Sequence, residues 1–292
     1  MPTKTDIKQV SFQNKTSDSL FDIVKIEDLH GMENLDHSPY NFHQIDFYML
    51  VLFTEGRGSH GIDFNDYEHS KGTLLSIRKD QIHKFSKTNS KGYLLLFTDD
   101  FLISYIEKKE VSKCFQLFNE LINSPKIQLN DRDFEEILLL VHKIKEEYFE
   151  VHDEQSTGII CSLLYILISK IYRLKSTENV TTFNKKYLSE FITLQTLVET
   201  NCFATKKVND YADLMSVSSK TLNNITNSIL HKPAKKFINE IFITKIKRLL
   251  INTNLSIKEI AYQCGFEETT NFYTFFKKTV LTTPETFRNS HK

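Results

Sequence analysis

Between about residue 20 and residue 98 the chain runs in short β-branched and aromatic stretches closed by turn residues. Phe47–Thr54 is closed by Glu55-Gly56-Arg57-Gly58, and Ser59–Phe64 by Asn65-Asp66. A short run from Tyr67 ends at Lys71-Gly72, and Thr73–Arg78, Ile82–Phe85 and Gly92–Phe97 continue the series. Strands this short and this evenly spaced predict an antiparallel barrel or jelly roll. The alternation leaves open which faces point inward.

After Asp99-Asp100 the period changes to three or four, which predicts helices over Phe101–Asn123, Asp131–Val151 and Glu154–Leu174, the second with Asp131 as its N-cap. The third is apolar on more than one face, through Ile159, Ile160, Leu163, Leu164, Ile166 and Leu167. Such a helix lies in a core or against a second subunit. Ser176–Lys186 is polar and without periodicity, as expected of a linker.

From Tyr187 the pattern is helical again, and one unit occurs twice. The first copy is Val208–Met215, a turn at Ser216-Val217-Ser218, then Ser219–Ile229. The second is Ile257–Gln263, a turn at Cys264-Gly265-Phe266, then Glu267–Lys278. Each has an Ala early in a short helix (Ala212, Ala261), a small residue in the turn, and an apolar residue closing it. Two helices crossing steeply need that small residue at the crossing and a turn that tolerates unusual backbone angles. Two such helix-turn-helix units in tandem point to DNA. Between them Ala234–Ile251 forms one amphipathic helix. Eighteen helical residues span about 27 Å, enough to hold two recognition helices about one DNA turn apart.

Charge sharpens this picture. The net charge is zero, yet from Phe183 onward there are 16 Lys+Arg against 9 Asp+Glu, leaving residues 1–182 with 21 against 28. The basic end suits a polyanion. Four cysteines, Cys114, Cys161, Cys202 and Cys264, form no Cys-x-x-Cys pair and read as buried thiols in a reducing cytosol. Met1–Val10 has no apolar signal core, and the most apolar run, Ile159–Ile168, falls short of the roughly 20 residues that cross a bilayer. A cytoplasmic protein with no membrane partner is expected.

In the first recognition helix Leu222, Ile225 and Ile229 face the core, while Lys220, Asn224 and Asn227 fall at i, i+4 and i+7 on another face, flanked by Thr221 and Asn223. Asn is poor in a helix interior, so three exposed ones need a reason. Bidentate bonding to adenine supplies it, and an A·T-containing half-site is expected. In the second, Phe272, Phe275 and Phe276 make the apolar face and leave Thr269, Thr270, Asn271, Tyr273, Thr274, Lys277 and Lys278 for solvent or DNA. Hydroxyls and ammonium groups suit phosphates, and the Thr methyl suits thymine.

The stretch SIKEIAYQCGFEETTNFYTFFKKTVLTTPETFR, from Ser256 to Arg288, resembles the signature of AraC/XylS-type transcription regulators. The resemblance covers about the last 105 residues. It extends weakly to the N-terminal barrel, where Gly56-Arg57-Gly58-Ser59-His60, Gly72 and His83 resemble a cupin-like sensory domain. It implies an α+β architecture: a cupin-like sensory jelly roll over 1–100, with 1–20 expected to be disordered, a helical dimerisation region over 101–175, a linker over 176–186, and a DNA-binding domain over 187–292 with units at 208–230 and 257–278. Where the family places Gly after each recognition helix this chain has His231 and Leu281, and Asn227-Ser228 stand where basic residues are usual. Lys245, Lys247 and Arg248 of the connecting helix, or the second unit, are expected to make up the lost phosphate affinity.

In the N-terminal region a His-x-His pair is absent, since Gln44-Ile45 follow His43, and His60 and His83 stand alone in their strands. No metal and no cofactor are expected. A small organic effector lined by Phe47, Met49, Phe53, His60 and His83 is expected instead. The chain is thus read as a non-enzymatic, sequence-specific regulator, an activator by family habit, with promoter DNA, an effector, a second copy of itself and RNA polymerase as partners. A cupin-type metalloenzyme fused to a DNA-binding module is the first rival, and a nonspecific architectural DNA binder the second.

Overall fold

The computed structural model describes residues 8–12, 20–31, 38–106, 118, 124–178, 187–230 and 232–291, which fall into two compact units, Lys8–Val180 and Thr181–Lys292.

In the N-terminal unit the described strands make two five-stranded sheets rather than a closed barrel. One runs β1-β3-β8-β5-β6 (Lys8–Val10, His43–Ile45, Ile82–Phe85, Gly58–Ile62, Asn65–His69), the other β10-β7-β4-β9-β2 (Lys126–Gln128, Thr73–Ile77, Tyr48–Glu55, Lys91–Phe97, Phe21–Lys25). The pairings are antiparallel except β1–β3, which is parallel. Strand β1 falls within the stretch expected to be disordered and corrects that expectation for Lys8–Val10; residues 1–7 and 13–19 lie outside the described residues. Strand β10, paired with Thr73–Leu75, was not foreseen in the gap between two helices.

Strand β4 explains its own unbroken apolar run. Met49, Val51 and Phe53, with Phe47 just before them, join Ile45, Ile62, Ile77 and Phe85 in one core cluster. Leu50 and Leu52 face the other way and join Leu74, Leu95 and Phe97 in a cluster with helical residues Phe134, Ile137, Ile160 and Leu164. A strand covered on both faces cannot alternate, and each buried Leu or Phe adds about 1.5–3 kcal/mol. The β5–β6 turn is Asp63-Phe64, at φ 46° and 67°, not Asn65-Asp66. A two-residue hairpin turn of type I′ needs positive φ at both positions, for which Asn-Gly is the usual signal. Here Asp63 is held by Gln81 Nε2 at 2.8 Å, and the Phe64 ring lies 5.3 Å from Phe42.

Helix α1 spans only Asp99–Ile103, N-capped by Thr98. The long helix expected over Phe101–Asn123 therefore breaks at Ser104, and residues 107–117 and 119–123 lie outside the described residues. Helix α2 (Asp131–Glu146) is capped by Asn130 rather than Asp131, through the Asp133 amide at 2.9 Å. It runs on into one π turn, Glu147–Val151, that ends at left-handed His152. Helix α3 (Ser156–Glu178) extends into the expected linker, of which 179–186 lie outside the described residues. Its stretch Ser156–Leu174 is, among the described residues, long and apolar enough by length and composition to cross a membrane, which corrects the shorter run read from sequence. Ile160, Cys161, Leu164, Leu167, Ile168 and Ile171 are buried in the core cluster with α2, while Ile159 and Ile166 are exposed.

The C-terminal unit is all helical: α4 (Leu188–Asn201), α5 (Val208–Leu214), α6 (Ser219–Leu230), α7 (Ala234–Asn252), α8 (Ile257–Gln263), α9 (Thr269–Val280) and α10 (Pro284–His291). Its core comes from every helix, with Phe191, Tyr211, Ile225, Phe242, Ile260, Phe272 and Phe287 all buried. Arg288 on α10 donates to the carbonyls of Leu250 (2.7 Å), in the last turn of α7, and Leu255 (2.8 Å), in the segment after it. Cys161, Cys202 and Cys264 are buried free thiols, and burial pushes Cys264 up to about 12. Cys114 lies outside the described residues.

Candidate nucleic-acid interface and interior cavity

The two helix-turn-helix units share a backbone solution. In the first, Ser216 turns at φ 55° and the Val217 amide donates to Ala212 O at 2.9 Å. In the second, Gly265 turns at φ 77° and the Phe266 amide donates to Ala261 O at 3.0 Å. Ala212 and Ala261 are buried at the helix crossings, where a larger side chain would force the helices apart. The turns then diverge by one residue. Helix α6 starts three positions after Ser216, at Ser219, and α9 four after Gly265, at Thr269. Helix starts are secured by Ser218, whose Oγ accepts the Thr221 amide at 3.0 Å, and by a capping box between Ser256 and Glu259 on α8.

The outward faces follow from this packing. On α6 Leu222, Ile225 and Ile229 are buried as expected, and Thr226 joins them. Lys220, Asn224 and Asn227 are exposed together on the opposite side. Thr221 Oγ1 is engaged with Ser218 Oγ at 2.9 Å. Asn223 is placed differently: its Nδ2 donates to Ser219 O at 2.9 Å and its Oδ1 accepts the Ala234 amide at 3.0 Å, so it caps the linker helix α7.

On α9 Phe272 and Phe276 are fully buried and Phe275 half-buried. Thr270, Asn271, Thr274, Lys277 and Lys278 are exposed, Thr269 is half-buried, and Thr274 Oγ1 donates to Thr270 O at 3.0 Å. Tyr273 donates its hydroxyl to Glu285 of α10, which holds the ring along the protein. Three cations of α7 are also engaged: Lys245 Nζ donates to Glu199 O, Lys247 lies 5.5 Å from the Phe287 ring, and Arg248 is buried, while Lys235 and Lys236 at the start of the helix are exposed. The exposed basic pair of this unit's second half is therefore Lys277-Lys278. Leu281 ends α9 at φ 63° with its side chain 87% exposed; His231 lies outside the described residues.

In the N-terminal unit a small cavity of about 10 Å³, room for roughly one water molecule, lies against the sheets. Ile26, Leu29, Tyr40, Phe53 and Phe85 make its apolar wall, and Ser59, Ser86, Thr88 and His69 its polar edge. Of the expected lining residues Phe53 is present. Phe47 and Met49 belong to the core between the sheets, and His60 and His83 are buried with a hydrogen bond between Nε2 and Nδ1 at 3.2 Å. Burial, then the charge of His43, then that of His69, lowers His60 to about 3. His69 lies flat on Phe53, ring centroids 3.7 Å apart, and burial, with Lys126 nearby, lowers it to about 4. His69, Ser59, Ser86 and Thr88 were missed because the strand pattern did not reveal which faces line the interior. Among the described residues no group of three or more His, Cys, Asp or Glu side chains is placed to hold a metal ion.

Comparison with known proteins agrees with this layout. The AraC-like ligand binding domain family matches residues 31–167, and a helix-turn-helix domain family matches 211–290. The chain is 23% identical over 263 residues to the HTH-type transcriptional activator RhaS of Enterobacter sp. (strain 638), covering 87% of this chain and 89% of that protein. To the activator RhaR of the same organism it is 22% identical over 263 residues, covering 87% and 90%. Among solved structures, ToxT from Vibrio cholerae superposes with a TM-score of 0.41 at 16% identity, covering 92% of this chain and 97% of that one.

Proposed function

Because the chain belongs to the AraC family of transcription regulators, joining an AraC-like ligand-binding domain to a helix-turn-helix DNA-binding domain, we propose that it is a cytoplasmic, non-enzymatic activator acting on promoters with two adjacent major-groove segments. The observation that carries this is the matched pair of turns, Ser216-Val217 and Gly265-Phe266, each presenting a helix with one exposed polar face. Lys220, Asn224 and Asn227 then meet one segment, and Thr270, Asn271, Thr274, Lys277 and Lys278 the next, with Thr221, Thr269 and Tyr273 beside them. RhaS and RhaR are transcriptional activators, and the likeness to them supports activation; RNA polymerase is the partner an activator needs. Exposed Ile159 and Ile166 on α3 favour a homodimer through the helical region.

The cavity suggests the effector's character. Its lining carries no charged side chain, and burial keeps His69 neutral. An uncharged molecule with an apolar body and one hydrogen-bonding edge would match the chemistry of those walls, and its entry requires the cavity, which has room for about one water molecule, to widen. It changes transcription only by binding one arrangement of the protein better than another.

Selection of bound duplexes from random DNA, with and without cell extract as an effector source, tests the proposal. A specific site should be preferred over scrambled DNA by at least about 10³. A ratio near one would establish the architectural binder instead. Stoichiometric iron, zinc or manganese in purified protein, lost on substituting His43 or His83, would revive the metalloenzyme.

A further inference from the structure

The two helix-turn-helix units are joined by α7, yet α7 alone does not fix their relative orientation. It ends at Asn252, and Thr253–Ser256 form an extended connection before α8 begins. Lateral contacts hold the second unit, and Arg288 of α10 ties its far end to α7. The segment between α4 and α5, at the entrance to the first unit, supplies the contact on the side of the turn. Phe203 O closes over Gly265 so tightly that an added Cβ would lie 2.6 Å away. Three residues on, the Lys206 ammonium enters a box of three rings. It lies 3.9 Å from the centroid of Phe266, 4.4 Å from Phe242 and 5.9 Å from Phe275.

Each ring belongs to a different part of the reading head. Phe242 is on the linker helix, Phe266 closes the second turn, and Phe275 sits on the second recognition helix behind exposed Thr274 and Lys277. The rings support one another, with centroids 5.4 Å apart for Phe242–Phe275 and 5.8 Å for Phe266–Phe275. The described residues form no ion pair with Lys206, so the ring faces are what hold its charge. Burial depresses its pKa, the signature of an ammonium taken partly out of water. The backbone is tethered as well, since Lys235 of α7 donates to Lys206 O at 2.6 Å.

We infer that Lys206 is a positioning residue for DNA reading: its ammonium, held by Phe242, Phe266 and Phe275, locks the second recognition helix against the entrance of the first unit and so sets the spacing between the two DNA segments that can be read together. This rests on the two-segment reading proposed above. A half-buried cation over aromatic faces shifts an equilibrium by roughly tenfold. The effect should therefore appear as stringency of spacing, beyond any loss of stability.

The test uses the full-length protein and a site selected from random DNA, with one base pair inserted or deleted between the two segments. One base pair shifts them by about 3.4 Å and about 34°. Wild type should lose roughly tenfold or more in affinity on that change. Lys206→Met keeps the length of the side chain without its charge; its penalty should fall to about threefold or less. Lys206→Arg keeps a cation over the rings and should restore the wild-type penalty. Phe275→Leu removes one wall while leaving the lysine and should behave as Lys206→Met, which keeps the test open if that variant folds poorly. A spacing-sensitive wild type with an equally sensitive Lys206→Met and Phe275→Leu would overturn the role of Lys206 alone. A wild type indifferent to spacing would overturn the two-segment reading and this inference with it.

Discussion

Asn223 Oδ1 accepts the backbone amide of Ala234 at 3.0 Å, so a residue of the first recognition helix caps the helix that leads to the second unit. Its neighbour Asn224 is exposed. The two should separate cleanly on substitution. Asn223→Ala is expected to cost about 1 kcal/mol of stability, the usual price of a lost cap, and to leave base preference unchanged. Asn224→Ala should leave the melting midpoint nearly untouched and relax preference at one base position by about 1–3 kcal/mol. Thermal unfolding and binding to single-base variants of a selected site decide between them. If Asn223→Ala alters base preference without loss of stability, the assignment is reversed.

Gly265 and Ser216 occupy equivalent turns with unequal chemistry. A Cβ at Gly265 would meet Phe203 O at 2.6 Å and would also sit on a backbone at φ 77°. Gly265→Ala should therefore destabilise the C-terminal unit by about 2 kcal/mol or more. Ser216 already carries a side chain at φ 55°. Ser216→Gly relieves that strain against the entropy glycine adds to the unfolded chain, and a net gain of about 0.5 kcal/mol is expected. Calorimetric unfolding of the full chain checks both signs.

Leu281 is the other strained cap. It ends α9 at φ 63°, and its side chain is 87% exposed, so removing it loses little packing. Leu281→Gly should stabilise the unit by about 1 kcal/mol. A neutral or destabilising result in thermal unfolding would mean that the side chain has contacts the exposed position does not suggest.

Lys277 and Lys278 are the exposed cations of α9, whereas Lys245, Lys247 and Arg248 of α7 are engaged within the fold. Lys277→Ala should weaken binding to all sequences alike and reduce the slope of log K against log salt by about one. A loss confined to particular sequences would make Lys277 a base contact instead.

The two units were legible in the sequence because their determinants are local. An Ala at a crossing, a turn residue at positive φ and an apolar closing residue lie within six positions of each other, as Ala212, Ser216 and Val217 do. Other features were not legible because their partners are remote. Nothing near Asn223 announces that Ala234 will need an acceptor, and Tyr273 looks free until α10 brings Glu285 to it. Strand β4 is apolar without a break from Tyr48 to Phe53, so no alternation could say that Met49 faces the second sheet and Leu50 the helices. The Asp63-Phe64 turn carries no glycine, and its conformation depends on Gln81, eighteen positions away. The cavity's polar edge is assembled from β5, β6 and the segment after β8, a grouping visible only once the sheets are formed.

His60 sets the acid response of the N-terminal unit. Its folded pKa is near 3, against 6.5 in an unfolded chain, because burial and the neighbouring histidines disfavour the charged form. The unfolded state therefore takes up a proton that the folded state refuses. The stability this contributes is complete above pH 6.5 and is lost as pH falls from there toward 3. By pH 5 the loss from His60 amounts to about 2 kcal/mol, and His69, lowered to about 4, acts in the same direction. Carboxylates with pKa values near 4 are still mostly ionised between pH 6.5 and 5, so this interval isolates the histidines. Thermal unfolding of the N-terminal unit should show a falling midpoint across it, with a shallower fall in His60→Gln. A midpoint that stays flat from pH 7 to pH 5 would show that His60 is protonated in the folded protein, and that water or an internal acceptor reaches its Nδ1.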